Sequence, residues 1–565
     1  MTLRRLYLYL VSAVSLGLLI AGLALLGTTV LLFFFNDPSA QSSRTQLAGF
    51  TAMTAVALPV WSIHFWFARR YAMRDPYERA SAIRRLYIYW ACLGGAIGVL
   101  VALAIAGGDL LRPLVDVCPF TGYAPLAPKG GPIFNSCPAS QNWEATSMAG
   151  WVAAVFLAIW AFHFWVAARD RAAVGETGAS ATLRRWYMYA VLLVGLLVML
   201  SAASSLVQIL WLKAVNSPLA NSYFIGDAAA LFISGLLVWG FHARTVAQKH
   251  VADDRNATLR AVQGFIALAV SIAIAVFGAS QILYYALARA LGVDNPGGAG
   301  NDILGALASP ASLLVVYGTA WFLIRRRLAQ DASAQEAERQ AGIRRLYTNL
   351  ASLVSLGAWA IGAGGLLWTL AEQVEAPIIG VTAGDWKNPA SLWLTLLVVG
   401  AAVWLAHWRQ APWAADRNGL PRRLYVWAAL LASVLAALGA GVGMLAAVLR
   451  QVFSARPTLA DSANLDFGHY LAVVIVAAGV GFYHWRVLRA DAAARPPKAA
   501  AEPARTVVGT AAPVVIRSPE VADPNTHRYS LTVTDATEDD VHQALSSLPP
   551  HAAYKLTSAE KGAAS

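Results

Sequence analysis

The chain of 565 residues is 58% hydrophobic and only 13% charged, with a formal net charge of +12 and a mean hydropathy of +0.53. Because soluble globular domains carry about 25% charged residues, this balance excludes an ordinary soluble protein and predicts an integral membrane protein. The basic residues stand in short clusters between apolar runs rather than in one patch, which argues against nucleic acid as a partner.

One short motif recurs along the chain, and each copy opens an apolar run of about 20 to 30 residues, long enough to cross a bilayer as a helix. The motif is an arginine pair followed by Leu or Trp and then Tyr, as in Arg84-Arg85-Leu86-Tyr87. A second apolar run follows each opening, and four of these second runs end in Trp-x-x-His. The repeated unit is therefore predicted to be a helical hairpin in the membrane. The openings supply Arg4, Arg5, Tyr7, Arg84, Arg85, Tyr87, Arg184, Arg185, Tyr187, Arg344, Arg345, Tyr347, Arg422, Arg423 and Tyr425, and the second runs supply His64, His163, His242, His407 and His484.

Twelve apolar spans form six tandem hairpins, which predicts an all-α polytopic membrane protein with parallel repeats. The first span continues to Phe35, too long for the h-region of a signal peptide, and is expected to be a retained helix. The fourth hairpin has Gln263 in place of Tyr and Ala320 in place of His, and the last has Gly481 in place of Trp. The predicted hairpins cover residues 1–83, 84–183, 184–259, 260–343, 344–421 and 422–490.

The basic residues alternate between the two sides of the predicted bundle. The loop between the second and third spans holds six arginines, whereas the opposite loops hold one or two basic residues each, such as Lys213 or Lys387. By the positive-inside rule, both termini are expected to be cytoplasmic.

Two of the three cysteines lie in the one long outer loop, which is predicted at 107–146 and is rich in Pro and Gly. On the outer side of a membrane, a disulfide between Cys118 and Cys137 could form and persist. Two unpaired thiols are the alternative. Cys92 lies inside a span and is interpreted as a small packing residue.

The motif residues admit a structural and a chemical interpretation. At the helix start, the arginine pair could reach anionic lipid headgroups of the inner leaflet. His64 would lie beside Tyr7 or Tyr9 at the same depth, as an interhelical clamp that belongs to its own hairpin. In the alternative interpretation, the histidines of facing helices hold haem b as axial ligands. The clamp is the favoured hypothesis, and no cofactor or metal is expected.

Charged residues are absent from the middle of every predicted span, where ion-coupled transporters usually keep them. The sequence also lacks a phosphate-binding Gly loop, an H-E-x-x-H motif and a C-x-x-C motif. An enzyme is therefore not expected.

The chain changes composition after the last span. Residues 491–526 are rich in Ala and Pro and are interpreted as a flexible linker. Residues 527–565 alternate like strands in two places, so this segment is expected either to form a small cytoplasmic α+β unit or to be disordered.

The Arg-Arg-Leu-Tyr-x-Tyr opening, the Trp-x-x-His close and their tandem repetition resemble the bacterial membrane family catalogued as domain of unknown function 5671. The resemblance covers most of residues 1–490, with the fourth hairpin departing from the pattern. It implies a location in the bacterial inner membrane. It implies no activity, because the family has none assigned.

Three functions are compatible with these observations. The first and favoured one is a non-enzymatic scaffold or assembly subunit that contacts other membrane subunits. The second is a channel or transporter for a weakly polar or lipidic solute. The third is a haem-binding membrane electron carrier that uses the repeat histidines.

Overall fold

The computed structural model describes the chain from Thr2 to Ala493 with several gaps, and over that part the regular structure is helical. The cysteines of the predicted disulfide, Cys118 and Cys137, lie outside the described residues, as do residues 494–565 of the predicted linker and C-terminal segment. The described residues are 2–37, 44–115, 143–175, 178–218, 220, 225–248, 258–296, 302–333, 338–380, 382–408, 419–453 and 462–493.

Fourteen helices are formed within these ranges, and twelve of them are long and apolar enough to cross a membrane. The predicted multi-pass, all-helical architecture is confirmed for the described residues. The helices are α1 (Thr2–Phe34), α2 (Arg44–Arg74), α3 (Pro76–Arg79), α4 (Ala82–Val115), α5 (Trp143–Val174), α6 (Gly178–Ala214), α7 (Ile225–Gln248), α8 (Thr258–Ala290), α9 (Ile303–Ala306), α10 (Ala308–Ser333), α11 (Glu338–Ile379), α12 (Lys387–Trp408), α13 (Leu420–Phe453) and α14 (Ser462–Ala493).

Two single turns, α3 and α9, precede long helices, and each begins at an aspartate cap. The Asp75 side chain accepts a hydrogen bond from the backbone N–H of Tyr77, and Pro76 occupies the first helical position, where no backbone donor is needed. Asp302 accepts in the same way from the N–H of Gly305. These caps fix the chain where it enters α4 and α10.

Helices that follow one another pack in pairs, which we name hairpins 1 to 6: α1–α2, α4–α5, α6–α7, α8–α10, α11–α12 and α13–α14. The first helix of each hairpin contacts its own partner and the second helix of the next hairpin, as α4 contacts both α5 and α7. First helices also contact one another in chain order, from α1 to α13. In the part of the chain that the structure describes, extensive helix contacts join only successive hairpins. The hairpins therefore form a row, with contacts typical of a linear repeat array.

The helices of the row run between two faces, one at each end of the helix axes. We name as the basic face the end where first helices begin, marked by Arg4, Arg84, Arg184, Arg344 and Arg422; the other end is the opposite face. The largest buried cluster joins hairpins 1 to 3 and includes Phe65, Tyr87 and Tyr187 near the basic face. A second cluster, around Tyr425 and Val480, joins hairpins 5 and 6.

Helix α4 extends to Val115, beyond the predicted start of the outer loop at 107. Its last turns carry charged residues that are satisfied by the protein. The guanidinium of Arg112 donates to Asp109 at 2.7 Å and to both carboxylate oxygens of Asp227, at 2.7 and 3.0 Å. Because these ion pairs hold the last turns of α4 against the start of α7, the helix continues past its apolar span.

Candidate functional site

The repeat histidines each face the tyrosine of their own hairpin. The hydroxyl of Tyr7 lies 3.2 Å from Nε2 of His64, and that of Tyr87 lies 3.1 Å from Nε2 of His163. The other three pairs are Tyr187 with His242 at 2.7 Å, Tyr347 with His407 at 3.3 Å and Tyr425 with His484 at 2.9 Å. The structure thus brings together the residues that the sequence places at the start and the end of each complete hairpin.

The second nitrogen of each histidine ring fixes the direction of these hydrogen bonds. In all five, Nδ1 lies 2.7 to 2.9 Å from the backbone carbonyl oxygen four residues earlier, as His163 does from Ile159. A carbonyl oxygen can only accept, so Nδ1 carries the proton and Nε2 of the neutral ring is an acceptor. The tyrosine hydroxyl therefore donates to Nε2, and both ring nitrogens are engaged.

The tryptophan of the same motif reaches into the next hairpin. Nε1 of Trp61 in hairpin 1 donates to the hydroxyl oxygen of Tyr87 in hairpin 2, at 2.9 Å. Trp160 donates in the same way to Tyr187, and Trp404 to Tyr425, each at 2.9 Å. Each of these tyrosines thus accepts from one hairpin and donates within the next. We name this Trp–Tyr–His chain of hydrogen bonds the interlock.

The interlock accounts for the irregular copies of the motif. Hairpin 6 has Gly481 at the position of the tryptophan. It is the last hairpin of the described row, so a tryptophan there would have no tyrosine of a following described hairpin to bind. Hairpin 4 has Gln263 in place of the acceptor, and Trp239 forms no interlock with it among the described residues. One turn beyond Tyr317, the side chain of Trp321 lies beside Tyr347 of hairpin 5.

In the described part of the chain, three carboxylates bind arginines of the openings at the basic face. Glu78 accepts from Arg4 at 2.6 Å and from Arg5 at 2.8 Å, which ties hairpin 1 to the turn that precedes hairpin 2. Asp170 accepts from Arg84 at 2.7 Å and from Arg79 at 2.9 Å.

The third carboxylate, Asp491, accepts from Arg422 at 2.8 Å, and the Arg422 guanidinium also lies over the Trp408 ring. Arg84 is only 2% exposed, and its Nη1 donates to the Tyr9 hydroxyl at 3.0 Å. Tyr9, one of the two candidates for pairing with His64, therefore binds an arginine of the next hairpin.

The remaining arginines of the openings have different surroundings. Arg85 is fully buried, and its Nη2 donates to the carbonyl of Gly175 at 3.5 Å. Arg184, Arg185 and Arg345 are partly buried, whereas Arg344 and Arg423 are exposed, as is Arg4 despite its ion pair with Glu78. The exposed arginines are the ones with access to the surroundings of the protein, so binding of lipid headgroups stays a prediction for them.

None of these three carboxylates is predicted by the repeat motif itself, although the spacing of two of them is a usable signal. Asp170 follows His163 by seven residues, and Asp491 follows His484 by the same interval. Seven residues make two helical turns, so each aspartate lies on the same face of its helix as the histidine. Arg84 and Arg422 likewise precede their tyrosines by one turn, on the face that points to the partner helix.

No cluster of three or more His, Cys, Asp or Glu with the geometry for a metal ion occurs among the described residues. The five repeat histidines lie in five different hairpins, and each has its tyrosine and its carbonyl as neighbours. Every polar atom of the interlock has a hydrogen-bond partner within the protein. The arrangement is therefore suited to holding the helices in register.

Tandem helix pairs, spans of 22 to 38 residues and an interlock at one end define a multi-pass helical membrane protein built from repeats. The chain belongs to the family described as a domain of unknown function, DUF5671, whose family model matches residues 5–129, 133–234, 264–356 and 345–479. Hairpin 4 is covered by the third match although it lacks the Tyr and His of the motif. No curated protein sequence and no solved structure matches the chain.

Proposed function

We propose that the protein is a non-enzymatic structural subunit of the bacterial inner membrane, in which six tandem hairpin repeats form a platform for the assembly of other membrane subunits. The interlock is the observation that carries this proposal. It uses the most recurrent residues of the chain to connect one hairpin to the next, and it leaves none of their polar atoms for a substrate. The residues repeated most often thus serve packing.

The arrangement of the hairpins supports a platform. Because extensive contacts join only successive hairpins in the described part of the chain, the row has two ends and two long flanks. Helix α13 exposes a stripe of large apolar side chains along its length, from Leu424 through Leu431 and Leu438 to Leu445. Such surfaces suit lipid or the helices of other subunits.

The state of the histidines supports a structural role over haem b ligation. An axial ligand needs a free lone pair on one ring nitrogen. In His163, His242 and His484, which are 0 to 2% exposed, Nε2 accepts from tyrosine and Nδ1 donates to a carbonyl. Binding of haem through Nε2 would require the hydrogen bond that the tyrosine donates to this nitrogen to be broken. Transport of an ion also has little support, because the charged residues of the described spans lie towards the helix ends.

The proposal includes an orientation and a lipid environment. With the basic face in the cytoplasm, both termini are cytoplasmic, and the exposed Arg4, Arg344 and Arg423 lie at the level of anionic headgroups. Reporter fusions after Arg74 and Asp253 should then report a cytoplasmic position, and fusions after Pro38 and Pro296 the outer side. One reproducible reversal among them would contradict this orientation.

Purification of the protein from its native membranes in mild detergent tests the platform. We expect one or more membrane proteins to co-purify at a fixed stoichiometry, and deletion of the gene to dissociate the same proteins in native gels. The matched measurement is solute flux and visible absorption of the purified protein in liposomes. Flux, or a Soret band lost on replacement of a single histidine, together with unchanged native gels, would contradict the proposal.

A further inference from the structure

A cavity of about 330 Å³ lies near the opposite face, far along the helices from the interlock. It is formed by the last turns of α8 and α11 and the first turns of α12. Aromatic and apolar side chains make most of its wall, and a carboxylate and an amide are among its polar groups. The residues used below are Tyr284, Trp368, Glu372, Asn388, Leu392 and Trp393.

The aromatic walls are held in place by contacts with residues outside the cavity. The Trp368 ring stacks on the His469 ring of α14, with centroids 4.4 Å apart and an angle of 16° between the planes. The Trp393 ring lies so close to Gly365 that any side chain at that glycine would collide with it. The Tyr284 hydroxyl donates to Oδ1 of Asn388 at 2.7 Å. The shape of the cavity is therefore fixed by three helices and braced by a fourth.

Two polar groups of the wall have no partner among the described residues. Glu372 forms neither an ion pair nor a hydrogen bond there, although Gln373 beside it donates to the Gly384 carbonyl. The ammonium of Lys387, the basic residue at the start of α12, lies beside Gly292 instead. Nε1 of Trp393 is buried and lacks an acceptor. The cavity thus holds a half-buried carboxylate and a buried indole N–H that no other described residue engages.

The chemistry of the wall selects one class of ligand. Aromatic faces beside a carboxylate bind an organic ammonium group, because the ring quadrupoles attract the cation and its alkyl substituents fill apolar space. An anionic ligand would be repelled by Glu372, and a neutral ligand would leave its charge uncompensated. A bare metal ion would require more oxygen or nitrogen ligands than this single carboxylate and the Asn388 amide, whose oxygen already accepts from Tyr284.

We propose that this cavity is a binding site for an organic ammonium group, with Glu372 as the counter-ion and Trp368 and Trp393 as the aromatic walls. The site is independent of the platform function. A free amine and the ammonium headgroup of a bilayer lipid share this chemistry, and both reach a cavity near the end of the helices.

Isothermal titration of the full-length protein in nanodiscs of phosphatidylglycerol, which has no ammonium group, tests the proposal. The probes are choline and neohexanol, the uncharged carbon analogue of choline. We expect choline to bind and neohexanol to bind at least tenfold more weakly. Repetition in nanodiscs that contain phosphatidylethanolamine separates the two sources: suppressed choline binding identifies the lipid headgroup as the occupant, and unchanged binding identifies a free amine.

The variant Glu372→Gln keeps the size of the side chain and removes its charge, and we expect it to weaken choline binding at least tenfold. Glu144→Gln, which removes a carboxylate from the first turn of α5 on the same face, is the matched control and should bind as the native protein does. Because Glu372 has no partner among the described residues, its substitution should leave the unfolding curve unchanged. Equal binding of choline and neohexanol, or native affinity in Glu372→Gln, would overturn the proposal.

Discussion

Hairpins 1 to 3 and hairpin 4 use different contacts for the same task, which is to hold helices against each other and against their neighbours. In hairpins 1 to 3, hydrogen bonds and ion pairs are concentrated at the basic face, where Tyr87 and Tyr187 each connect two hairpins. Among the described residues, no Trp–Tyr–His chain connects hairpin 3 to hairpin 4, because Gln263 replaces the tyrosine.

Hairpin 4 relies on small residues and on contacts nearer the opposite face. The hydroxyls of Ser204 and Ser312 lie 3.1 Å apart, and Nε1 of Trp211 donates to the Leu304 carbonyl at 2.8 Å. Within the hairpin, Gly278 allows α8 to approach α10 closely. In this chain, close packing thus takes the place of the interlock in hairpin 4, and the family model still matches over 264–356.

The largest effect that separates the two regions should come from the buried carboxylate of hairpin 2. In Asp170→Ala, the guanidinium of Arg84 stays buried without its counter-ion, which should lower the free energy of unfolding by about 3 to 5 kcal/mol. The measurement is unfolding of the protein in mild-detergent micelles by titration with SDS.

Asp227→Ala is the matched control, because this carboxylate also pairs with an arginine, but the two side chains are 34% and 40% exposed. Exposed pairs contribute about 1 kcal/mol or less, so the control should change stability little. Equal losses in both variants would mean that burial of the hairpin 2 pair does not matter.

The stability of hairpin 4 should be most sensitive to added side-chain volume where α8 and α10 are in close contact. In Gly278→Ala, the added Cβ would lie 2.5 Å from the Pro310 carbonyl oxygen and 3.0 Å from the Leu314 backbone nitrogen, so α8 and α10 must separate. We expect a loss of about 1 to 3 kcal/mol in the same unfolding measurement. Gly318→Ala is the control on α10, where the nearest atom lies 3.9 Å from the added Cβ. If both variants are neutral, close packing is not what holds hairpin 4.

If the interlock connects hairpins, substitutions of its residues in neighbouring hairpins should have non-additive effects on the free energy of unfolding. Trp160→Phe and Tyr187→Phe each remove the hydrogen bond between hairpins 2 and 3, and Tyr187→Phe also leaves Nε2 of His242 without a donor. Each should cost about 1 kcal/mol, and the double variant should cost less than the sum of the two. Tyr7→Phe, at an exposed tyrosine that no tryptophan precedes, should have the smallest effect of the series. Strict additivity would mean that the tyrosine does not connect the hairpins.

Much of the fold could be predicted from the sequence, because the apolar runs and the repeated openings are local patterns that can be recognised in the residues themselves. Tyr and His of one hairpin were expected to meet at the same depth, since antiparallel helices of a hairpin bring the start of one to the end of the other. The choice between Tyr7 and Tyr9 required rotation about the helix axis: two residues apart on a helix, they point in different directions, and Tyr9 binds Arg84 of the next hairpin.

Contacts between hairpins could not be predicted, because they depend on how neighbouring repeats are placed in the row. Trp61 and Tyr87 belong to different hairpins, and nothing in either motif shows that the two residues meet. The cavity around Glu372 combines residues of α8, α11 and α12, which are separated by long stretches of chain. The spacing from His163 to Asp170 was visible, but a carboxylate at a helix end is normally solvated, so it did not stand out.

The smallest expected effect is also the sharpest test of the comparison, because it restores what hairpin 4 lacks. Gln263→Tyr places a hydroxyl at the position where Trp239 of hairpin 3 would find its acceptor by analogy with Trp160 and Tyr187. One added hydrogen bond between membrane helices should raise the free energy of unfolding by about 0.6 kcal/mol. Gln263→Phe supplies the same ring without the hydroxyl, so it separates hydrogen bonding from packing. A gain in the Tyr variant alone, abolished when Trp239 is replaced by Phe, is expected. Equal gains in Gln263→Tyr and Gln263→Phe would mean that ring packing, and not the interlock, is what hairpin 4 has lost.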